Sequence, residues 1–397
     1  MKNERLQILQ VHNYYQIPGG EDTVVENEKR MLEEYGYTVI QYTRHNNELK
    51  NFSLFRKLLL PFSTIFNPQT YHDVRRIIRE KHIDVVHVHN TLNLISPAVY
   101  YAALRCKVPV VQTVHNYRLL CPGATFYRDG HICEDCMKKG LGCAIRHGCY
   151  RSSRAQTLVC VLSMWIHRLT GIYGKMNYIC LTEFNRKKLL QFKQIKPEQV
   201  FVKPNFTKET KIDKKHGNYY LYVGRIEKIK GIPILLDAFA VMPGIKLIIA
   251  GSGDLSNYLQ KRIEKERLAH IQYVGFLDHI ELNRLLSETK AVIVPSQWLE
   301  PFGMTVIEAF AAGVPVIAGD VGSLHYLVKD GRNGFHFQYD SANALTCAVQ
   351  KMEAVYKNPL SEKKMRISTL KFYNCYYSES KNMEYLTEIY NAVLQLH

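Results

Sequence analysis

Short apolar runs rich in β-branched residues recur along the first half of the chain, separated by longer segments of mixed polarity. Each run has the length of one strand, and the segment 21–34 has the mixed face of a helix that stops at Gly36. Strands that alternate with helices are typical of a doubly wound parallel sheet. The predicted strands are 6–11, 37–42, 84–89, 108–114 and 177–181, with an edge element at 199–202.

The same pattern restarts at residue 219, after a charged stretch without periodicity. Its predicted strands are 219–223, 246–250, 271–274, 291–294 and 315–318. A chain of 397 residues is too long for one ordinary core. We therefore predict an α/β protein with two Rossmann-like domains, 1–205 and 219–370, which face each other across a cleft and are joined by the linker 206–218. The amphipathic end, 371–397, is predicted to be a helix that packs back on the first domain.

Basic residues outnumber acidic ones by 52 to 36, which gives the chain a net charge of +16. An excess of this size favours an anionic partner, whether nucleic acid, a membrane surface or a phosphorylated substrate, and does not choose among them. The first residues lead directly into a strand without the apolar core of a signal peptide. No apolar run approaches the ~18 residues of a membrane-spanning helix. We expect a cytoplasmic protein.

Two stretches, 51–66 and 152–175, combine apolar and aromatic residues with basic ones. They fit ordinary core helices. They also fit helices that dock peripherally on an anionic membrane, which for a cytoplasmic protein is the inner face of the cell membrane. The net charge favours docking, but the pattern alone leaves both interpretations open.

Two glutamates, Glu300 and Glu308, flank a Pro-Phe-Gly turn directly after the predicted buried strand 291–294. The carboxyl ends of parallel strands are where open α/β sheets bind ligands. Free N–H groups at the start of the helix after the turn attract an anion, and nearby glutamates accept hydrogen bonds from hydroxyl groups. A sugar joined to a nucleotide diphosphate offers both kinds of group.

A second polar loop, 224–231, follows the strand 219–223 and carries Arg225 and Lys230. A glycine exit followed by two cations at a helix start has the charge and position of a phosphate clamp. The glycine-rich loop that begins at Gly251 follows the next strand. Three neighbouring strand ends therefore present loops suited to one ligand, which disfavours the alternative that Arg225 belongs to a solvated basic loop.

Histidines mark the strand ends of the first half. His87 and His89 alternate on one predicted strand and share a face near its carboxyl end, where they are either strand-end residues or contacts to an acceptor. His115 directly follows the strand 108–114, and we predict an active-site role for it. Its neighbour Asn116 is a further candidate for acceptor contact.

Five of the ten cysteines lie between Cys121 and Cys149, on a loop rich in Gly, Asp and Lys. Structural disulfides are not expected in the cytoplasm, and Cys-x2-Cys is a common half of a tetrahedral zinc site. We predict a structural zinc site that folds the loop and takes no part in catalysis; reduced cysteines without metal are the alternative. The predicted ligands are Cys121, Cys133, Cys136 and Cys149, with Cys143, His131 and His147 as substitutes.

Taken in order, the motifs of the chain resemble those of the retaining glycosyltransferases of family 4, which have the GT-B fold. In the second half the similarity lies in GRIEKIKG, AGSGD, YVGFLD, PSQWLEPFGMTVIEAFAAGVPVIAGDVGS and VKDGRNGF. In the first half it lies in IPGGEDTVV, DVVHVHN, QTVHNYRLLCPG, CLTEFNRKKL and KPNF. The resemblance covers essentially the whole chain, and a subset of the family has a similar cysteine-rich insertion.

The resemblance implies a role for each motif. Arg225 and Lys230 would bind the donor diphosphate, aided by the first backbone N–H groups of the helix after the turn and by the glycine loop of the first domain. Glu300 would contact the transferred sugar and Glu308 the donor ribose. His115 would face the reacting sugar. The implied donor site is Gly19, Gly20, Arg225, Lys230, Gly251, Gly275, Phe276, Glu300, Phe302, Gly303, Met304, Thr305 and Glu308, with Gly275 and Phe276 against the nucleobase. The implied catalytic set is His115, Glu300, Arg225 and Lys230.

In such an enzyme, two cations and a helix N-terminus stabilise the leaving diphosphate, and the departing phosphate takes the acceptor proton on the same face. No Asp-x-Asp motif is present, so we expect no catalytic cofactor. A covalent intermediate on Glu300 is the alternative. The resemblance implies transfer of a hexose from a UDP- or GDP-sugar to a glycan, lipid-linked at the membrane, during assembly of capsule, lipopolysaccharide O-antigen or another surface polysaccharide.

Two other functions fit parts of the sequence. A GT-B-like nucleotide-sugar epimerase would need catalytic carboxylates in the first domain, and we assign none. A zinc-containing nucleic-acid-binding protein would gather its basic residues in one stripe, whereas here they are spread through the chain. We therefore expect no nucleic-acid partner. Trp298 and Leu299, before Glu300, are bulkier than the family pattern and leave the identity of the donor sugar open.

Overall fold

The computed structural model describes residues 6–16, 19–209 and 217–396, which form two compact units. The first unit comprises Met1–Phe126, Glu134–Pro204 and Asn382–His397, and the second comprises Tyr127–Cys133 and Asn205–Lys381. Residues 210–216 of the predicted linker lie outside the described residues. Phe206, at the start of that linker, is a buried side chain.

Fourteen strands occur in the part of the chain that the structure describes. They are β1 (Gln7–Tyr14), β2 (Thr38–His45), β3 (Val85–Asn90), β4 (Val110–Val114), β5 (Tyr127–Arg128), β6 (His131–Ile132), β7 (Asn177–Cys180), β8 (Val200–Val202), β9 (Tyr219–Val223), β10 (Lys246–Ala250), β11 (Ile271–Gly275), β12 (Val292–Val294), β13 (Val316–Gly319) and β14 (Gly334–Phe337).

The α-helices are α1 (Gly20–Glu34), α2 (Leu54–Ile65), α3 (Pro68–Glu80), α4 (Ala98–Arg105), α5 (Asp135–Lys138), α6 (Gly142–His147), α7 (Arg154–Leu169), α8 (Glu183–Leu189), α9 (Ile232–Ala240), α10 (Ser256–Lys265), α11 (His279–Glu288), α12 (Met304–Ala311), α13 (Leu324–Leu327), α14 (Ala342–Tyr356), α15 (Pro359–Tyr376) and α16 (Glu379–Gln395). Short 3₁₀ helices occupy Asn46–Asn51, Ile172–Lys175, Pro197–Gln199 and Lys228–Lys230.

The first unit is built on a six-stranded parallel sheet in the order β2-β1-β3-β4-β7-β8. Its central strand β3 is buried along its whole length, and three valines alternate there with the polar residues His87, His89 and Asn90, which are buried as well. The strand order reverses between β1 and β3. This switch point is where a sheet of this kind opens a crevice for a ligand.

The second unit repeats the arrangement with the order β11-β10-β9-β12-β13-β14, again with parallel pairs. Its strand order reverses between β9 and β12. The loop with Arg225 and Lys230 follows β9, and the segment with Glu300 follows β12. The predicted α/β fold with two Rossmann-like domains is therefore confirmed, and the two basic and acidic motifs lie at the switch point of the second sheet.

Three elements differ from the sequence prediction. Strand β14 is short and begins at a glycine, so its apolar signal is weak. The antiparallel pair β5 and β6 lies inside the cysteine-rich loop, where no periodicity marks it. The predicted single C-terminal helix is two helices: α15 ends at Tyr376 and α16 begins at Glu379, and α16 buries an apolar face of its own.

None of the described helices has both the length and the apolar character needed to cross a membrane.

Gly334 gives a test of the second sheet. It has a φ of +159°, and a Cβ atom added there would lie 1.8 Å from the carbonyl oxygen of Val316 on the neighbouring strand. We expect Gly334→Ala to destabilise the second unit by about 3 kcal/mol, because backbone must move to relieve the overlap. Hydrogen exchange of β13 amides measures this loss.

The matched control is Gly244→Ala, since a Cβ there would meet no atom within 4 Å. We expect this variant to stay within about 0.5 kcal/mol of the parent protein. Equal stability of the two variants would contradict the strand pairing of β13 with β14.

Candidate active site

The loops that follow neighbouring strands of the second sheet contact each other at glycine residues. A Cβ at Gly251 would lie 1.9 Å from the carbonyl oxygen of Gly224, and one at Gly231 would lie 1.8 Å from that of Pro295. Both positions also have positive φ angles, +132° and +80°. Gly251 donates its N–H to the carbonyl of Gly275 at 2.7 Å. The carboxyl ends of β9 to β12 therefore meet at one edge of the sheet.

The carboxylate of Glu300 gathers the polar side chains at this edge. Lys230 Nζ lies 2.8 and 3.1 Å from its two oxygens. The hydroxyl of Ser296 and the indole N–H of Trp298 each donate to Oε2 at 2.8 Å. The ammonium of Lys230 also lies 5.4 Å from the centre of the Trp298 ring. Glu300 is buried, and these donors hold its carboxylate in one orientation.

Two predicted donor residues lie exposed near the same strand ends. Arg225 is exposed, and its Nη1 lies 2.7 Å from Oε1 of Glu227. Phe276 is exposed and follows Gly275, which ends β11 with a φ of +73°. The sequence predicts that Arg225 and Lys230 act together as a phosphate clamp. In the structure each of them contacts a different carboxylate.

The turn before α12 supplies backbone rather than side-chain groups. Gly303 precedes the helix with a φ of +129°, a conformation that favours glycine. The N–H groups of Met304 and Thr305, in the first turn, have no partner within the helix. Phe302 is buried with its ring 6.1 Å from that of Tyr377, so its side chain serves packing.

Glu308 lies one turn further along α12 and is half-buried. Burial raises the pKa of its carboxyl above the ordinary range, and His279 partly offsets this effect. Glu308 lies within α12 whereas Glu300 lies in the turn before it, so the two predicted carboxylates occupy separate positions on this segment.

In the first unit, the side chain of Asp22 ties the loop after β1 to the strand. His12 Nε2 lies 2.7 Å from Asp22 Oδ1, and Gly19 donates its N–H to Oδ2 at 2.9 Å. Gly19 has extended backbone, and a Cβ there would meet no atom within 4 Å. Gly20 is exposed and begins α1. Because the fold itself does not require glycine at position 19, the space beside this backbone is open to a ligand.

A buried ion pair joins α1 to the strand ends of the first unit. Glu28 Oε2 lies 3.2 Å from Lys203 Nζ, and both side chains are shielded from water. Oε1 lies 3.1 Å from His87 Nδ1 and 3.2 Å from His89 Nε2, close contacts that are poorly aligned for hydrogen bonding. Burial acts to raise the pKa of Glu28, but His87 and Lys203 outweigh it and hold that pKa well below its ordinary range. Lys203 also donates to Asn382 at 2.9 Å.

Glu28, His87 and His89 lie close enough together to hold a metal ion. The donor set does not fit one, because the ammonium of Lys203 already places a cation against Glu28. His87 is further engaged by Thr113 at 2.7 Å and by the hydroxyl of Tyr390 at 2.8 Å. This cluster is a hydrogen-bonded support for the strand ends.

His115 lies at the outer end of this support. Its Nε2 is 3.0 Å from His89 Nδ1, and the two rings stack with centroids 5.3 Å apart. Burial lowers the pKa of both imidazoles, that of His89 to about 3 and that of His115 well below its ordinary range. Both rings are therefore neutral at pH 7, and each donates from one nitrogen only.

The position of Glu28 decides which nitrogen donates. A lone pair on His89 Nε2 would face the ionised carboxylate at 3.2 Å, so the charge of Glu28 favours the tautomer with the proton on Nε2 and the acceptor on Nδ1, while the amide nitrogen of Gln10 lies further from Nε2, at 3.5 Å. His115 must then donate from Nε2 to His89, which leaves the lone pair on its Nδ1. The buried charge thus sets the tautomer of His115 through one intervening ring.

His115 and Asn116 line a cavity of about 90 Å³ in the first unit. Glu21 lies near Asn116 and Arg118, in the same region of the first unit. Burial raises the pKa of its carboxyl to about 7, although Tyr15, Arg118 and Asn116 act to lower that pKa. The cavity walls also include residues of α2 and α7, namely Thr64, Cys160, Ser163 and Met164.

Four of the predicted metal-ligand cysteines and substitutes lie near one another in the first unit. Burial raises the pKa of the Cys136 thiol to about 12, with further contributions from Cys121, Cys149 and Cys143, and the backbone of Ala144 partly offsets this effect. All the described cysteines are free thiols. Among the described residues, the groups of three ligand atoms within 4.8 Å of one another contain no cysteine.

Cys133 lies on the segment Tyr127–Cys133, which groups with the second unit. His131 is in strand β6 of that segment, and His147 ends α6 in the first unit. To coordinate one zinc ion, four sulfur atoms would have to move closer together than they lie in this structure, namely those of Cys121, Cys136, Cys143 and Cys149.

Sequence reasoning missed Glu28, Lys203 and Asp22. Lys203 is the first residue of the KPNF motif, directly after β8. A lysine between apolar residues was the one sequence feature that could have indicated a buried charge there. No local pattern pairs it with Glu28, which lies 175 positions earlier. The link between them exists only in the folded chain.

Two family models match the chain in succession: Glycosyltransferase Family 4 over residues 18–209 and Glycosyl transferases group 1 over residues 203–369. The chain belongs to glycosyltransferase family 4. The boundary between the two matches falls at the end of β8, close to the division between the two units.

Individual proteins similar to this family-4 chain agree with the assignment. Glycogen synthase of Mycobacterium tuberculosis is 37% identical over 140 residues, a match that spans 33% of this chain and 33% of that protein. A glycosyltransferase from Rickettsia africae has a similar structure, with a TM-score of 0.71, 19% identity and coverage of 98% of this chain and 99% of that one. Anabaena HepE in complex with UDP-glucose has a TM-score of 0.65 at 16% identity, with coverage of 97% and 99%. These structural similarities establish the GT-B fold.

The buried pair Glu28–Lys203 gives a test of the support beneath His115. We expect Lys203→Met to destabilise the first unit by about 3–5 kcal/mol at pH 7, because it leaves the Glu28 charge buried without its partner. The double variant Glu28→Gln/Lys203→Met should recover more than half of this loss. Hydrogen exchange of β3 amides provides the measurement, with the exposed Lys193→Met as control.

The pH dependence follows from the lowered pKa of Glu28. This group stabilises the fold above its ordinary pKa of 4.5, and the contribution is lost as the pH falls through its lower folded value. The gap between the parent protein and Lys203→Met should therefore narrow in acid. A gap that is constant with pH would contradict the ion pair.

Proposed function

We propose that this protein is a retaining glycosyltransferase that moves a sugar from a nucleotide-diphosphate donor to a glycan acceptor. The observation that carries the proposal is the Lys230–Glu300 pair at the switch point of the second sheet. It combines a cation for a phosphate with a carboxylate for sugar hydroxyls. Family membership and the UDP-glucose complex of the structurally similar Anabaena HepE support it.

The donor diphosphate would bind to Lys230 and Arg225, together with the N–H groups of Gly303, Met304 and Thr305. Breaking a glycosyl–phosphate bond places negative charge on the diphosphate, and fixed cations beside a helix N-terminus stabilise that charge. Glu308 would accept hydrogen bonds from the ribose, and the exposed ring of Phe276 would lie against the base of a UDP- or GDP-sugar. The chemistry proposed for these residues uses no catalytic cofactor.

Glu300 is better placed to hold the sugar than to attack it. Both of its oxygens already accept hydrogen bonds, from Lys230, Ser296 and Trp298. A carboxylate whose lone pairs are engaged in this way is a weak nucleophile. This favours the pathway in which the departing phosphate takes the acceptor proton over a covalent intermediate on Glu300.

The first unit would serve the acceptor and the reacting sugar. The lone pair on His115 Nδ1 is a hydrogen-bond acceptor for a sugar hydroxyl, and Asn116 lines the same cavity. His87 and His89 are buried and would act by positioning His115. We place the reaction in surface polysaccharide assembly, with a lipid-linked glycan as the acceptor.

Replacing Lys230 tests the donor site. We expect Lys230→Ala to lower the rate of donor hydrolysis or transfer by about 100-fold, because a cation next to the leaving group is lost. A panel of UDP-, GDP- and ADP-sugars, screened by slow hydrolysis and by saturation-transfer binding, identifies the donor for this comparison. Glu308→Gln should weaken donor binding in the same assay.

The control is Lys228→Ala, an exposed lysine of the same loop. It should keep parental activity and stability. Full activity of Lys230→Ala, or an equal loss in both variants, would refute the assignment of the donor site.

We also propose that the cysteine loop binds one structural zinc ion. Support comes from the proximity of Cys121, Cys143 and Cys149 to Cys136. Zinc binds the thiolate form, so a bound ion would hold these cysteines in the deprotonated state that burial otherwise disfavours. A site closed by four thiolates would order the loop and leave no position for catalysis.

Elemental analysis of protein purified without chelator tests the zinc site, and we expect about one zinc per chain. Cys136→Ser should lose most of this zinc, whereas Cys347→Ser, at an exposed thiol of the second unit, should keep it. A folded parent protein without zinc would exclude the site.

A further inference from the structure

Two helices of the first unit expose rows of large apolar side chains. On α2, Leu54 is 82% exposed, Leu58 74% and Phe62 70%, at intervals of one helical turn. On α7, Leu158, Leu162, Trp165 and Leu169 recur at the spacing of one helix face, and all four are exposed. A contiguous exposed apolar surface on a folded protein marks an interaction site. We call these rows, together with Phe55 and Leu59, the apolar face.

The apolar face is anchored rather than loosely attached. Helix α2 packs against α7. The buried His167 of α7 lies with Nε2 2.9 Å from the carbonyl oxygen of Ile65, the last residue of α2, and with Nδ1 2.8 Å from the hydroxyl of Tyr101. The inner residues Thr64 and Met164 are buried. The outer residues are therefore held in place while exposed.

The charges on the two helices and on the chain that flanks them are all of one sign. No Asp or Glu occurs between Glu48 and Asp73, a stretch that contains Lys50, Arg56 and Lys57. None occurs between Asp135 and Glu183 either, where the chain carries seven Lys or Arg. The exposed basic residues on or next to the two helices are Arg56, Lys57, Arg151, Arg154 and Lys175. Apolar side chains bordered by cations complement an anionic lipid surface.

The cavity that reaches His115 is lined by the inner sides of the same two helices. Thr64 belongs to α2, and Cys160, Ser163 and Met164 belong to α7. A lipid-linked acceptor held at the apolar face would thus lie next to the walls of this cavity. Docking would bring the glycan end of such an acceptor towards His115 while its lipid stays in the membrane.

We infer that the apolar face docks on an anionic membrane surface and presents the cavity at His115 to an acceptor in that membrane. The presentation of the cavity to an acceptor rests on the proposed function. Docking of the apolar face on a membrane does not rest on it, because vesicle binding is measured without donor or acceptor.

The experiment is co-sedimentation of the full chain with vesicles of phosphatidylcholine alone or mixed with phosphatidylglycerol. We expect binding to the anionic vesicles only, and a loss of binding as salt is raised. Leu58→Glu/Trp165→Glu should lower the bound fraction by about tenfold, since two apolar contacts become charged. Arg56→Glu/Lys57→Glu should lower it by a similar factor.

Matched controls lie in the second unit. Val241→Glu/Leu360→Glu changes two side chains that are 67% and 78% exposed, and Lys261→Glu/Lys351→Glu makes the same charge change at exposed lysines. Both controls should bind vesicles like the parent protein. Donor binding by saturation transfer should be unchanged in every one of these variants, which separates docking from the donor site.

Several outcomes would overturn the inference. One is a parent protein that fails to bind anionic vesicles. Another is binding that the face variants retain in full. A third is a parent protein that light scattering shows to be a dimer and that Leu58→Glu/Trp165→Glu converts to a monomer without affecting vesicle binding, because the apolar face would then join two copies of the chain.

Discussion

Glycine at the points where neighbouring loops touch is the constraint on which the second unit depends. A methyl group at Gly231 or Gly251 would overlap a carbonyl oxygen of the next loop. Any larger residue there would push apart the loops that follow β9 and β12. The contact between Lys230 and Glu300 forms only because these loops meet. The arrangement of the Lys230–Glu300 pair therefore depends on backbone positions that carry no functional group themselves.

In the first unit the corresponding constraint is electrostatic. Burying Glu28 and Lys203 removes two charges from water, a cost that their attraction offsets only in good geometry. Such a pair adds little net stability, and its value here lies in orientation. The negative charge favours a proton on Nε2 of His89, and the contact of His89 with His115 then favours a proton on Nε2 of His115. Two rings are thus set by one carboxylate that is itself shielded from water.

The parts of the structure that could be predicted from the sequence are those with local causes. Strands β9 and β10 follow from short runs of aromatic and aliphatic residues. The position of the polar loops after them follows from the rule that parallel strands share one carboxyl edge. Strand β14 was missed because four residues that begin with glycine carry little signal. The contact of Glu28 with Lys203 depends on chain folding over a long separation. The sequence does not predict that α2 and α7 are exposed, because the residue pattern of an apolar helix face is the same whether protein or another surface covers it.

The donors that surround Glu300 also bear on the sugar that this side chain would contact in the proposed donor site. A carboxylate offers about four lone-pair positions, and Lys230, Ser296 and Trp298 occupy most of those on Glu300. Three of these four contacts reach Oε2 and one reaches Oε1, so Oε1 keeps room for about one hydroxyl group, approaching from one direction. Two sugars that differ only in the configuration of a single ring carbon have equal size and charge, but they point that hydroxyl differently. A fixed carboxylate of this kind separates epimers by angle alone.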